Sequence, residues 1–323
     1  LSPDRDPRQF VVGTHEPAYM EIWKTGELDA WATAALRELV SCRVCPRYCE
    51  NNRMQDETAA CRTGRHARVA SAFAHFGEED CLRGSRGSGT IFFAFCNLRC
   101  VFCQNWDISQ APGGTELPAD GIADLMMQLQ EAGCHNLNFV TPEHVAPQVV
   151  EAIAAAVPRG FCLPIVYNTS AYDSLASLRL MDGLVDIYMP DMKYADASVG
   201  QRFSRINNYP AANQAAVKEM HRQVGDLVTD ERGVAGRGLL VRHLVLPDGL
   251  AGTAAIVGFL RDEISPNTYI NVMAQYRPCH RAHELPPLDR RLSSAEYADA
   301  VRLAEDAGLR LDERRPRLIW GWR

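Results

Sequence analysis

Three cysteines stand close together in the first third of the chain, and their spacing suits an iron–sulfur cluster. Three residues separate Cys96 from Cys100, and two separate Cys100 from Cys103. Cysteine thiolates are the usual ligands of [4Fe–4S] clusters, so three thiolates on one loop can bind three of the four irons. No fourth cysteine follows within the next thirty residues. The fourth iron would therefore be open to a small molecule.

The residues before this loop predict how it is positioned. Residues 89–95 form an apolar run that is typical of a buried strand, so the cysteines follow a strand's carboxyl end. Proteins that alternate strands and helices place their chemistry at such ends. A zinc knuckle or a simple electron-transfer cluster is the alternative interpretation. Zinc is disfavoured because its tetrahedral site would need a fourth nearby Cys or His, and none is close.

A second group of cysteines precedes the first. Its members are Cys42, Cys45, Cys49 and Cys61. Four thiolates at these spacings suit a closed metal site. One interpretation is structural zinc that stabilises a small module with too little core of its own. The other is a second iron–sulfur cluster that relays electrons or binds substrate, because spacing does not choose between these metals.

Other residues near these groups have plainer expected roles. Cys81 is expected to be a free thiol near the mouth of the site, with ligation of either metal as the alternative. Cys134 and Cys162 stand in apolar settings and are predicted to be core residues. His75, Glu78 and Glu79 are candidates for hydrogen bonding beside the site, although the favoured interpretation of the two glutamates is a solvated acidic turn.

Composition narrows the class of protein. The chain has 323 residues, is 46% hydrophobic and carries a net charge of −6, so it can bury a real core and has no broad basic field for nucleic acid. No apolar run reaches the roughly 18 residues of a membrane span, and no signal peptide is visible. Eight of the eleven cysteines crowd the first third. Clustered thiols of this kind indicate metal ligands in a reducing cytoplasm.

A strand-then-helix rhythm begins at residue 89 and repeats six times. The predicted strands are 89–95, 135–141, 163–169, 185–189, 238–246 and 268–274. The predicted helices are 118–132, 144–157, 172–181, 197–222, 251–263 and 293–306. This alternation predicts a parallel sheet covered by helices. Six units are too few for a closed eight-stranded barrel, so we expect an open, partial (β/α)6 barrel with a lateral gap for a large substrate.

Three segments are predicted along the chain. Residues 1–86 form a helical and Cys-rich extension, with an irregular stretch at 1–26, a helix at 29–40 and a strand at 69–76. Residues 87–285 form the (β/α)6 core, and residues 286–323 form a C-terminal helix and tail. The Cys-rich extension is expected to be a small metal-binding module.

Polar residues follow the predicted strands at the edge where a site would form. They include Thr141, Glu143, Asn168, Asp191, Lys193, Arg242 and Gln275. Opposite charges at Asp191 and Lys193 suit a zwitterionic amino acid, although a surface ion pair worth little is the alternative. Glu143 and Asn168 could equally serve a helix N-terminus. Arg242 lies inside an apolar strand and therefore needs a partner.

The cysteine loop, with aromatic Phe102 before its last cysteine, resembles the signature of the radical S-adenosylmethionine (SAM) superfamily. The resemblance implies that the open iron binds the amino and carboxylate groups of SAM. It implies that an electron from the cluster cleaves SAM to methionine and a 5′-deoxyadenosyl radical, which abstracts hydrogen from a peptide, protein or small-molecule substrate. An electron donor such as flavodoxin or ferredoxin is implied. The implied cofactor-binding residues are Phe102, Asn105, Thr141, Glu143, Asn168, Asp191, Lys193, Arg242 and Gln275.

Residues 42–49, 75–79, 87–93 and 96–105 together resemble the branch called pyruvate formate-lyase activating-enzyme-like, over about 42–280. In glycyl-radical-enzyme activases a motif similar to Asp191-x-Lys193 handles SAM, and a fifth-strand arginine similar to Arg242 reaches its ribose or carboxylate. Two departures stand out. Thr141 and Pro142 replace a pair of glycines, and the extra cysteines precede the SAM motif instead of following it.

Three classes of function compete. The first is a radical SAM oxidoreductase that abstracts hydrogen, with glycyl-radical activation as one form. The second keeps the cofactor but transfers a methyl or aminocarboxypropyl group. The third is a metal-stapled electron-transfer or binding protein without catalysis, which the polar residues at successive strand ends make less favourable.

Overall fold

The computed structural model describes residues 7–13, 15–111 and 113–312. Its framework is a sheet built from β1 (Ala67–His75), β2 (Ser88–Phe93), β3 (Thr115–Leu117), β4 (Leu137–Val140), β5 (Ile165–Thr169), β6 (Ile187–Pro190), β7 (Val228–Thr229), β8 (Ala235–Leu244), β9 (Tyr269–Met273) and β10 (Arg310–Leu311). The helices are α1 (Tyr19–Thr25), α2 (Leu28–Arg37), α3 (Asp80–Arg83), α4 (Trp106–Ser109), α5 (Ala119–Glu131), α6 (Ala146–Ala156), α7 (Leu175–Met181), α8 (Ala197–Ser204), α9 (Tyr209–Val224), α10 (Thr253–Phe259) and α11 (Ser294–Asp306).

The strand order confirms the predicted parallel core. Across the sheet the order is β10-β9-β8-β6-β5-β4-β2-β1-β3, with β7 paired to β8. The six predicted strands, β2, β4, β5, β6, β8 and β9, pair in parallel with their neighbours. The sheet is wider than predicted, because β10 adds a parallel strand at one end and β1 and β3 add antiparallel strands at the other. It is an open mixed α/β sheet, consistent with a partial barrel.

Burial explains why the central strands read as apolar runs. Every residue of β5 and β6 is buried, as expected for parallel strands covered on both faces. On one face the largest apolar core includes Val149, Val150 and Ile153 of α6, all fully buried. A second buried apolar cluster includes Val166, Ile187 and Met189 of the same strands.

The helix predicted at 197–222 is two helices. Arg205 has φ 58° and ψ 40°, a left-handed conformation that ends α8. The next helix, α9, starts at Tyr209 with Pro210 in its first turn, where the missing N–H costs nothing. Asn207, Asn208 and Pro210 mark this break in the sequence, because asparagine favours turns and proline favours the start of a helix.

The irregular stretch predicted at 1–26 is wrong for its described second half, which contains α1. The Tyr19 ring is buried, stacks on Phe161 at 5.8 Å and donates through its hydroxyl to the Leu163 carbonyl oxygen at 3.0 Å. Asp186, directly before β6, accepts from the Ala18 N–H at 2.8 Å. A helix of seven residues is too short to be stable alone, so these distant contacts are what hold it.

The two cysteines predicted in the core differ. Cys134 is 2% exposed, so that prediction is confirmed. Cys162 is exposed, so that prediction is wrong. The reason is its place in the loop that leads into β5, outside the layer between sheet and helices.

Candidate active site

One cavity of about 860 Å³ lies at the carboxyl ends of the parallel strands. Strand-end residues from β4, β5, β6, β8 and β9 line it together with the first cysteine loop. The sequence-predicted residues on its wall are Cys96, Cys100, Cys103, Asn105, Thr141, Glu143, Asn168, Asp191, Lys193, Arg242 and Gln275. A volume of this size suits a bound small molecule with room beside it.

The cysteine loop presents three thiols to this cavity. Phe95, directly before Cys96, has φ 68°, a left-handed conformation that a bulky residue rarely adopts and that turns the chain sharply out of β2. Cys96 Sγ accepts from the Leu98 N–H at 3.3 Å, and Cys100 Sγ lies 2.9 Å from the Ser204 hydroxyl. Burial raises the pKa of Cys100 to about 11, and the neighbouring Cys103 adds to it. Thiols crowded this way need a cation before they ionise together.

Phe102 does not line the cavity with its predicted partners. Its ring packs edge-on against Tyr194 at 6.2 Å and Tyr276 at 6.0 Å, beneath the loop. It is 5% exposed. These contacts anchor the cysteine loop to Tyr194 and Tyr276. Contact of Phe102 with a cofactor stays a prediction.

The turn after β4 takes the shape that a glycine would normally supply. Thr141 has φ 61° and ψ 47°, so the threonine itself adopts the left-handed conformation. Glu143 is fully buried and accepts from the Ser170 hydroxyl at 2.7 Å through Oε1. Its Oε2 has no hydrogen-bond partner within the described part of the chain. Burial raises the pKa of Glu143. A buried carboxyl oxygen without a partner, on a cavity wall, suits a cationic group of a ligand.

Asp191 and Lys193 follow β6 and form an ion pair on the same wall. Lys193 Nζ donates to Asp191 Oδ2, and the two side chains are 18% and 26% exposed. Burial alone would lower the pKa of Lys193, but the adjacent Asp191 carboxylate raises it above its usual value. The backbone N–H of Lys193 also donates to the Tyr209 hydroxyl at 3.2 Å. The pair is therefore held in place inside the cavity.

Arg242 is clamped by two carboxylates from the turn after β1. Its Nε donates to Glu79 Oε1 at 2.8 Å, and its Nη2 donates to Glu79 Oε2 at 2.6 Å and to Glu78 Oε2. Asn271 Nδ2 and His75 Nδ1 also contact this pair of glutamates, at 2.7 Å and 3.2 Å. The carboxylate side chains are 5% and 2% exposed. The expected solvated acidic turn is therefore wrong, because a buried cation draws both glutamates inward.

These charges shift one another. Burial opposes ionisation of Glu78, yet the Arg242 guanidinium and the His75 ring together lower its pKa to about 2. Two of the Arg242 nitrogens are occupied by protein carboxylates, so its contact with SAM stays a prediction.

The comparisons with known proteins agree with this geometry. Residues 90–232 match the family model described as the radical SAM superfamily. An uncharacterised protein of Methanocaldococcus jannaschii is 32% identical over 299 residues, covering 90% of this chain and 82% of that protein.

The chain belongs to the radical SAM superfamily.

Membership implies an enzyme that uses a [4Fe–4S] cluster and SAM, together with a reductant and a substrate. Solved radical SAM structures resemble it only remotely. A radical SAM methyltransferase from Sphaerobacter thermophilus has 13% identity and a TM-score of 0.45 over 90% of both chains. SuiB of Streptococcus suis bound to SAM has 11% identity and a TM-score of 0.43, over 67% of this chain and 47% of that one. The activating-enzyme-like branch stays a prediction.

The N-terminal cysteines of this radical SAM protein also come together. Cys42, Cys45, Cys49 and Cys61 line one void of about 10 Å³. Three of them are buried and Cys49 is exposed. Burial raises the pKa of Cys45 to about 12, with the nearby Cys61 and Cys42 thiols adding to it. Across residues 7–13, 15–111 and 113–312, no three Cys, His, Asp or Glu side chains stand at the spacing that holds a single metal ion.

Cys81 lines neither cavity. It is 8% exposed and packs among apolar residues that include Leu82 and Leu240. Burial is the main reason that the pKa of its thiol is raised, with the nearby Glu79 adding to it. The expected position near the mouth is therefore wrong, because α3 turns the thiol toward the core.

Sequence reasoning missed several residues on the cavity wall. They are Ser109, Ser170, Asn271 and Asp312. Ser109 and Asn271 are brought in by α4 and β9, and neither carries a local pattern that marks it. The loop residue His280 stacks on Trp106 at 5.3 Å, which places the loop after β9 against the cysteine loop.

No helix in the described ranges is long and apolar enough to cross a membrane.

Proposed function

We propose that this radical SAM enzyme reductively cleaves SAM and abstracts hydrogen from a peptide, protein or other sizeable substrate. The observation that carries the proposal is the convergence of three thiols and a zwitterion-suited charge set on one cavity. Cys96, Cys100 and Cys103 would hold the cluster. When bound, the cluster supplies one electron to SAM, whose S–C5′ bond breaks to give methionine and a hydrogen-abstracting 5′-deoxyadenosyl radical.

The chain's own residues would position the amino-acid end of SAM. Lys193 presents an ammonium for the SAM carboxylate, and its partner Asp191 fixes that ammonium in place. Glu143 offers a buried carboxyl oxygen to the SAM ammonium. Thr141 shapes the turn through its left-handed backbone, and Asn168 supplies an amide on the adjacent strand end.

Other predicted contacts complete the cavity. Asn105 and Gln275 line it, and Gln104 Nε2 donates to the Gln275 carbonyl oxygen at 3.2 Å. Arg242 also lines the cavity, where Glu78 and Glu79 hold it. Because the sheet does not close into a barrel, a large substrate can enter from the side.

The N-terminal cysteines are proposed to bind a second metal group, either zinc or an iron–sulfur cluster. Flavodoxin or ferredoxin is the proposed class of electron donor. Glycyl-radical activation remains one form that the hydrogen-abstraction step could take.

The test is SAM cleavage by anaerobic, reconstituted and reduced protein. The wild type is expected to form 5′-deoxyadenosine. A variant with Cys96, Cys100 and Cys103 all changed to Ala is expected to form none. Cys162→Ala is the matched control, because this exposed cysteine lies outside both cysteine groups.

Equal 5′-deoxyadenosine from the triple variant would refute the assignment of the cluster. Formation of S-adenosylhomocysteine would favour methyl transfer instead, and formation of methylthioadenosine would favour transfer of the aminocarboxypropyl arm. Failure of the reconstituted wild type to bind SAM would favour a non-catalytic protein.

A further inference from the structure

Strand β1 has an outer edge of which β3 covers only the first part. On its inner side β1 pairs with β2 from Val69 to His75, whereas β3 pairs only with Ala67, Arg68 and Val69. Within the described part of the chain, no strand pairs with the outer edge of residues 71–75, and no loop backbone hydrogen-bonds to it. The register with β2 shifts just after Val69, where the pairing with β3 stops. A bulge at such a point bends the strand and ends its pairing.

This free edge lacks the charges and prolines that usually protect an edge strand. Natural edges carry lysine, other charged side chains or proline, because unpaired N–H and C=O groups invite pairing with another chain. Residues 70–75 read Ala-Ser-Ala-Phe-Ala-His and contain no Lys, Arg, Asp, Glu or Pro. Phe73, in this stretch, is 43% exposed. The edge is therefore open to a further strand over about 16 Å, the length of five extended residues.

The side chains beside the free edge form an aromatic surface that continues into the active-site cavity. The Phe73 ring stacks on Phe92 of β2 at 5.6 Å, and the His75 ring meets Phe73 edge-on at 5.5 Å. His75 and Phe92 both line the cavity. The His75 ring is held by Glu78, whose Oε1 lies 3.2 Å from its Nδ1. A strand added to this edge would therefore run beside the cavity wall.

Two features of this surface select the kind of partner. The backbone groups of a sheet edge bind an extended chain, and the side chains beside the edge select alternate residues of that chain. Phe73 and His75 stand two residues apart and therefore share one face of β1, so alternate side chains of an added strand would face them. Aromatic–aromatic and aromatic–β-branched pairs are among the cross-strand contacts that stabilise a sheet. The surface thus fits an extended peptide with aromatic or β-branched residues at alternate positions.

We propose that an extended segment of a peptide or protein substrate pairs with the outer edge of residues 71–75 as an added strand of the sheet. This inference rests on the proposed function, because it names the substrate that the cavity would receive. Backbone hydrogen bonds to β1 would hold the segment in register, and Phe73 would contact its alternate side chains. The residue beyond the paired stretch would then reach the cavity past His75 and Phe92. A small metabolite has no backbone that could pair with this edge.

The first experiment selects binders from a library of random peptides, each about ten residues long and so about twice the length of the free edge. The target is anaerobically reconstituted full-length protein with SAM. Hydrogen–deuterium exchange then shows which backbone amides the recovered peptides protect. We expect exchange within residues 71–75 to slow at least about tenfold. A selection without binders, or protection confined to other segments, would overturn the proposal.

The second experiment removes backbone contacts and leaves the protein unchanged. Only every second N–H of an added strand faces its neighbour. The tightest recovered peptide is therefore compared with two copies, each N-methylated on one of the two alternate sets of amides. We expect one copy to bind at least about tenfold more weakly, the effect of losing two hydrogen bonds, and the other to bind within about threefold of the parent. Equal effects of the two methylation patterns would exclude strand pairing.

The third experiment changes the protein and keeps the peptide. Phe73→Lys places a charge at the free edge. Trp23→Lys is the matched control, because Trp23 lies on α1 and is exposed to a similar extent, 38%. We expect Phe73→Lys to weaken peptide binding at least about tenfold and Trp23→Lys to leave it unchanged. Equal affinities of the two variants would contradict the assigned surface.

Two other occupants of the edge would give different results. A second copy of the chain would make the wild type dimeric and Phe73→Lys monomeric in analytical ultracentrifugation. Residues 313–323, which lie outside the described ranges, would slow exchange within residues 71–75 without any peptide, and their removal would abolish that protection. Either result would overturn the proposal. Peptide binding without 5′-deoxyadenosine would refute the proposed function alone, whereas 5′-deoxyadenosine without peptide binding would refute only the added strand.

Discussion

Replacing Arg242 with Met should destabilise the fold strongly, because it leaves Glu78 and Glu79 buried without their cation. Removing one partner of a buried ion pair costs about 3–5 kcal/mol. The lowered pKa of Glu78 gives a second value for the stabilisation. Glu78 falls from its usual 4.5 to about 2, which corresponds to roughly 3 kcal/mol of folding free energy. The two values agree, so we expect a loss of about 3–4 kcal/mol.

The assay is anaerobic urea unfolding at neutral pH, read from the transition midpoint at constant slope. Arg261→Met is the matched control, because its ion pair with Asp262 is exposed and should contribute nothing measurable. If Arg242→Met unfolded within about 1 kcal/mol of the wild type, the buried clamp would not stabilise the fold as argued.

The difference in stability between the wild type and Arg242→Met should depend on pH. The pKa of Glu78 is lower in the folded than in the unfolded state, so its stabilisation is complete above about pH 4.5 and is lost as the pH falls toward 2. Arg242→Met removes the cause of that lowering. The stability gap between wild type and variant, measured on cluster-free protein, should therefore narrow below about pH 4.5. A gap that widened on acidification would contradict this reasoning.

Three further changes test other parts of the structure. Lys193→Met should weaken SAM binding about tenfold to a hundredfold in equilibrium titration, while exposed Lys218→Met should not; equal affinities would remove Lys193 from the site. Gly238→Ala should lower the free energy of unfolding by at least about 3 kcal/mol, because φ is +123° there and the new Cβ would lie 2.4 Å from a backbone Cα. Gly258 is in a helix and has nothing within 4 Å of a new Cβ, so Gly258→Ala should raise the free energy of unfolding by up to about 1 kcal/mol. Thr141→Gly should keep SAM cleavage and stay within about 1 kcal/mol of the wild type, since glycine adopts φ 61° freely; lost cleavage would mean that the hydroxyl itself is needed.

Much of the fold could be read from local pattern. The six parallel strands were predictable because apolar runs of strand length alternate with helical spacing. The break between α8 and α9 was also marked, by Asn207, Asn208 and Pro210, and the prediction of one helix passed over these residues. Helix α1 was missed because its stability comes from Tyr19 packing on a residue far along the chain.

Some residues of the candidate site were predictable from the sequence and others were not. The three thiols of the first loop were predictable from spacing alone, as were the polar strand ends. The inward position of Glu78 and Glu79 was not, because an acidic turn looks solvated until a distant cation is placed against it.

The sequence by itself determined the ligand loop and the alternation of six strands with helices, because both depend on residues near one another along the chain. Only the tertiary structure decided which distant charges and thiols meet. Arg242 meets Glu79 across 163 residues, and the Cys100 thiol meets the Ser204 hydroxyl across 104 residues. The physical reason is that a buried charge or thiol takes its partner from whatever the folded sheet brings within hydrogen-bonding distance, and spacing along the chain does not encode which distant residues are brought together.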